Sequence, residues 1–149
     1  ARSSSGLDGA VNRRYSQVRG VGGRNMRIVR VFTGDDHQSH FEDVDIDLLH
    51  QSPRGRLSRL IKGRGVIFRE VDGSYDLDFH RAPRRQFVVN LSGSVDITVG
   101  DGSARRLGPG EILWAEDTTG QGHKSQAVDG QPRRCLFLPI DDEEVVLQI

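Results

Sequence analysis

The chain has 149 residues, which at about 100–200 residues per domain is the length of one domain and excludes a two-domain catalytic machine. Lys and Arg number 21 against 21 Asp and Glu, so the net field that would draw the chain to nucleic acid or an anionic membrane is missing, and neither is an expected partner. Cys135 stands alone, which excludes an intramolecular disulfide and a thiolate metal cluster and agrees with a reducing compartment.

Residues 1–25 hold five Arg, one Asp, four Ser and five Gly with no apolar period, so they are expected to be a disordered basic tail or an upstream extension. They also lack the apolar centre of a secretory signal, and no apolar stretch approaches the ~20 residues of a membrane span. A soluble cytoplasmic protein is the expectation.

From Met26 to the end at residue 149, a single all-β domain is expected. The strand-like runs, in order, are MRIVRVF (26–32), FEDVDIDLL (41–49), RLSRLI (56–61), GVIFREV (65–71), YDLDFH (75–80) and QFVVNLS (86–92). SVDITVG (94–100), SARRL (103–107), EILWAE (111–116), GHKSQAV (122–128) and RCLFLPI (134–140) follow. Several alternate strictly: Val95, Ile97 and Val99 share one side, Asp96 and Thr98 the other, the period of a half-buried strand. Asp101-Gly102 is placed for a type I′ hairpin, with Asp72-Gly73 and Asp129-Gly130 repeating the device; Ser92-Gly93 and Pro109-Gly110 supply further tight reversals. Short strands at this spacing predict a β-sandwich or small barrel.

The string HRAPRRQFVVNLSG places His80 and Ala82 two apart, then Gln86, then six residues and Gly93. This spacing resembles the first motif of the cupin superfamily, G-x5-H-x-H-x3-4-E-x6-G. After a spacer of about sixteen residues, GEILWAEDTTGQGH resembles the second motif, with Gly110 opening it and His123 where the family places its last metal-ligating His. The resemblance covers roughly residues 57–140, and AEDTTGQGH is similar to a stretch of small single-domain bacterial cupins of uncharacterised type. It implies a double-stranded β-helix, the jelly-roll barrel. It also implies a homodimer through N-terminal strands, since MRIVRVF would otherwise be an exposed apolar edge.

The departures from the motif set the expected chemistry. Ala82 stands at the second His, Gln86 at the Glu and Thr118 at the usual Pro, and two extra residues follow Gly110. The family's cofactor is a divalent metal (Fe, Mn, Ni or Zn), for which only His80 and His123 remain as imidazole ligands. Two neutral imidazoles and an amide supply no ligand charge, so the metal is expected to be weak or absent unless Asp117, Glu116 or Glu70 completes a facial triad. His80, Gln86, Trp114 and His123 are the expected ligand-binding residues: the amide reads a carbonyl or hydroxyl at any pH, and Trp114 is core or an aromatic wall.

Other groups carry plainer expectations. Arg81, Arg84 and Arg85 form a solvated turn or an anion clamp at the rim. Asp35, Asp36, His37 and His40 form a polar loop rather than a metal site, with Ser39 and His40 candidates to close the cavity mouth. Cys135 is an inert buried thiol.

Three functions stay open. The first is a small-molecule-binding cupin in which His80 or His123 shuttles a proton without essential metal. The second is a metal-dependent enzyme of dioxygenase or isomerase type using His80 and His123. The third is a non-catalytic regulatory or assembly domain.

Overall fold

The computed structural model describes residues 25–144; apart from Asn25, the tail expected over residues 1–25 lies outside them. The described strands are β1 (Asn25–Thr33), β2 (Ser39–Asp47), β3 (His50–Ser52), β4 (Gly55–Leu57), β5 (Ile67–Val71), β6 (Asp76–His80), β7 (Gln86–Ser92), β8 (Val95–Thr98), β9 (Ala104–Leu107), β10 (Ile112–Ala115), β11 (His123–Ala127) and β12 (Arg133–Pro139). No helix of the described residues is long and apolar enough to cross a membrane.

The architecture is all-β. A six-stranded sheet runs β2-β1-β10-β7-β12-β5, a four-stranded sheet runs β6-β11-β8-β9, and β3-β4 forms a small hairpin. The two larger sheets face each other without closing into a barrel. Their inner faces meet in one apolar core, where Val29, Val31, Leu113 and Ala115 pack with Val95, Ile97 and Leu107. Behind the larger sheet a second cluster gathers Ile28, Val44, Ile46, Trp114 and Ile140. β1 therefore buries both faces, which explains why its sequence reads as a nearly continuous apolar run.

Several expectations are corrected here. β1 is not an edge: it pairs with β2 on one side and runs parallel to β10 on the other, so the reason given for a homodimer through MRIVRVF does not hold. The exposed apolar edge is instead β5, where Ile67 and Phe68 are exposed. RLSRLI is strand only to Leu57, because β4 pairs just with the three residues of β3, and Ser58–Ile61 runs on as irregular chain.

The β8–β9 hairpin is not type I′. Gly102 alone takes a positive φ, of 88°, and its N–H donates to the Val99 carbonyl at 3.0 Å; this is a type I turn followed by a left-handed glycine. Asp129-Gly130 does have positive φ at both residues, 54° and 64°, closing the type I′ turn from Val128 to Gln131.

Val31 is fully buried between the sheets. Val31→Ala should destabilise the protein by about 2 kcal/mol through lost burial and a residual cavity. Urea denaturation checks this as a lower midpoint at unchanged m-value.

Candidate functional site

Alternation fixes which side chains enter the space between the sheets. Gln86 and Val88 from β7, Leu113 and Ala115 from β10, and His123 and Ser125 from β11 all point inward and line a cavity of about 320 Å³. That volume lies at the small end of ligand-binding pockets. Exposed Leu77, Arg81 and Pro83 mark where it meets solvent.

His80 enters by an irregularity. His123 pairs with His80 and Ser125 with Leu77, so β6 holds one residue more than β11 between those pairs. This β-bulge turns both Leu77 and His80 toward the cavity although their odd separation would put them on opposite faces. The Asp78 carboxylate accepts the Phe79 N–H at 2.8 Å within the bulge. On the facing side, Gly122 has φ +80°, and a Cβ there would stand 1.9 Å from the His80 carbonyl oxygen. Only glycine lets the 118–122 loop approach so closely.

The two imidazoles lie with ring centroids 4.5 Å apart. His80 Nδ1 lies 2.8 Å from the Asp78 carbonyl oxygen, an acceptor only, so Nδ1 carries the proton and Nε2 is an acceptor in the neutral ring. Burial, opposed by that hydrogen bond and reinforced by the charge of His123, holds His80 below the ordinary imidazole value of 6.5. His123 Nδ1 lies 2.6 Å from Asp117 Oδ2. Asp117 is completely buried; its Oδ2 also accepts from Ser39 Oγ at 2.8 Å, and its backbone oxygen accepts from Ala82 N at 3.0 Å. A carboxylate behind His123 thus orients the ring and leaves Nε2 as its other polar atom, the arrangement of a general base or a fixed hydrogen-bonding group.

Of the expected ligand-binding residues, His80, Gln86 and His123 come together on the cavity. Trp114 does not. It is buried in the cluster behind the sheet, beside Ile28 and Ile140, because its neighbours Leu113 and Ala115 take the inward positions.

Ser39 lies behind His123 rather than at the mouth, and His40 Nε2 is 2.9 Å from the Asp36 carboxylate within its own loop. Arg85 is a structural tie, held by Glu116 at 2.6 Å and by the carbonyls of Asp141, Asp142 and Glu144. Arg84 donates to Gln86 Oε1 at 2.9 Å. Arg81 alone of the three lines the cavity.

The donor set does not fit a divalent cation. Beside the two imidazoles stands an amide whose oxygen is taken by Arg84. Asp117 sits behind His123 with Oδ2 in use, Glu116 is tied to Arg85 and Glu70 to Arg134. Among the described residues no three His, Cys, Asp or Glu side chains are grouped to hold a metal ion.

Among the cavity residues that the sequence analysis did not single out, two are charged: Arg69 on β5 and Arg133 on β12. The strand expected from Arg134 starts one residue earlier, and Arg133, Cys135 and Phe137 share a phase. A charged residue in step with inward apolar ones was the available signal.

No family model matches the chain, and no curated protein matches it. Among solved structures it is similar to a conserved protein of unknown function from Streptococcus pyogenes, at 22% identity and TM-score 0.43 over 59% of this chain and 71% of that one. It is also similar to a protein from Neisseria meningitidis, at 16% identity and TM-score 0.41 over 55% and 81%. A third neighbour, assigned as ethanolamine utilization protein Q from Salmonella typhimurium, has 12% identity and TM-score 0.38 over 79% and 98%. Similarities this weak carry no argument about function, and the site is read from its own geometry.

Removing the buried carboxylate should be costly. Asp117→Ala strands the Ser39 hydroxyl and the His123 Nδ1–H, and should cost about 2–4 kcal/mol in urea denaturation. His80 sets a pH dependence. With its folded pKa lowered, the unfolded chain binds more protons between the ordinary and the lowered value. The stability contributed by neutral His80 is therefore complete above about pH 6.5 and lost as pH falls through that window. Between about pH 7 and pH 5, His80→Gln should lose less melting temperature than the unaltered protein; an equal loss would show that His80 is not the group responsible.

Proposed function

We propose that this is a cupin-like, jelly-roll domain that binds a small organic molecule between its two sheets without an essential metal. One observation carries the reading: His80 and Gln86, with His123 far from both in the chain, are singled out by motif spacing and line the same cavity. The Asp117–His123 pair fixes which ring nitrogen faces the ligand. His80, favoured in its neutral form by burial, supplies a second acceptor beside it. The pair is equipped to hold a ligand hydroxyl or amide and to carry a proton to or from it. The metal-dependent alternative finds no support in the donor set described above.

The test is a screen of small organic fragments against protein labelled for imidazole NMR signals. Binders should move the His80 and His123 signals together, and His123→Ala should weaken their binding about tenfold or more, at a cost in denaturation midpoint because it leaves the buried Asp117 carboxylate without its ring partner. A screen in which fragments bind but leave both imidazoles unmoved overturns the reading and favours a scaffold role.

A further inference from the structure

We propose that Arg69 and Arg133 form a carboxylate-recognition site within the cavity, so that the ligand is a small organic acid. The inference rests on the cavity being a ligand site and goes on to name the ligand's chemical class.

Arg133 projects inward from the start of β12 and is only 5% exposed. Its guanidinium makes one hydrogen bond, a long one of 3.5 Å from Nη1 to Asn90 Oδ1. Asn90 is itself committed, donating from Nδ2 to the carbonyls of Leu107 and Gly93. Arg69 projects inward from the neighbouring strand β5, where its residue pairs with Cys135. Its guanidinium lies over the rings of Tyr75 and Phe137, at 5.0 and 5.1 Å, and reaches Cys135 Sγ at 3.7 Å. Among the described residues no carboxylate pairs with either group.

The contrast with Arg85 is direct: that guanidinium is satisfied by Glu116 and three carbonyls. A buried guanidinium without an anion is among the least favourable arrangements a protein interior can hold, and here a second, half-buried one stands close enough to disfavour its charge. Burial, and then Arg69, push Arg133 below the ordinary guanidinium value, yet an arginine does not escape by losing its proton. The aromatic rings of Tyr75 and Phe137 hold the planar groups in place, which is preorganisation for an incoming anion.

Geometry favours a carboxylate over a phosphate. The guanidinium fork matches a planar two-oxygen acid, and the site offers strand side chains rather than the turn of backbone N–H groups that cradles phosphate. The arginines lie further along the strands than the imidazoles: Gln86 pairs with Pro139, six positions beyond Arg133. Val88, Ile97 and Leu113 line the space with them. The acid that fits has one carboxylate, a short apolar body and a polar group for the imidazole end.

Benzoate and its neutral counterpart benzamide, titrated into the full chain, test this, with inorganic phosphate as a competitor. Benzoate should bind about tenfold or more tightly than benzamide, moving the arginine Nε–H signals of Arg69 and Arg133. Arg133→Met should erase that preference while raising the melting temperature of the ligand-free protein, since it removes a buried charge and keeps volume. A guanidinium that merely supports the fold would give a fall in melting temperature instead, which overturns the proposal. Arg69→Met, on the half-buried neighbour, should likewise erase the preference, and its retention in that variant also counts against the site.

Benzamide binding as tightly as benzoate, with His80 and His123 signals moving, overturns the carboxylate site and leaves the cavity reading intact. Failure of both probes to move any cavity signal counts against both. Phosphate displacing benzoate at equal concentration overturns the assignment to carboxylates.

Discussion

The buried carboxylate of Asp117 is the junction on which the site depends. It fixes His123 at the start of β11, holds Ser39 at the start of β2 through its side chain, and holds Ala82 in the β6–β7 connection through its backbone. Three segments distant in sequence are thereby brought to one point between the sheets. A charge so completely excluded from water is tolerated only because partners surround it, so the cavity wall and the packing are not separable here.

Around that junction the molecule divides its labour by face. The rear of the larger sheet is closed by Trp114 with its aliphatic neighbours, and the near part of the inter-sheet space by Val29, Val31 and their neighbours. These two clusters supply the apolar burial that offsets the chain's conformational entropy. The remainder of the inter-sheet space holds imidazoles, an amide and guanidiniums, groups that would be replaced by Val or Leu if packing alone mattered.

The same division explains why a motif with altered ligands still marks the cavity. Strand register, once set by the core, points positions 80, 86 and 123 at the same space whatever residues occupy them. Ala82, where the resembling motif has a second His, is buried in the apolar core, and Gln86, where it has Glu, lines the cavity with an amide.

The sequence by itself determined the all-β character and most strand positions, because period-two alternation and glycine-bearing turns are local signals; that His80, Gln86 and His123 share one space was implied only by the resemblance of their spacing to the cupin motifs. It did not determine the closing partner of β1, since an apolar run burying two faces reads the same as an apolar edge. Nor did it place Trp114, whose face follows from which of two alternating sets meets the second sheet. The inward turn of His80 depends on a bulge, visible only once β6 is paired with β11. Arg69 and Arg133 were not singled out in the sequence, and that neither meets a carboxylate among the described residues is a fact of three dimensions. Local rules fix what each segment is; which segments face one another is decided by long-range packing, and the chemistry of this site lies in that choice.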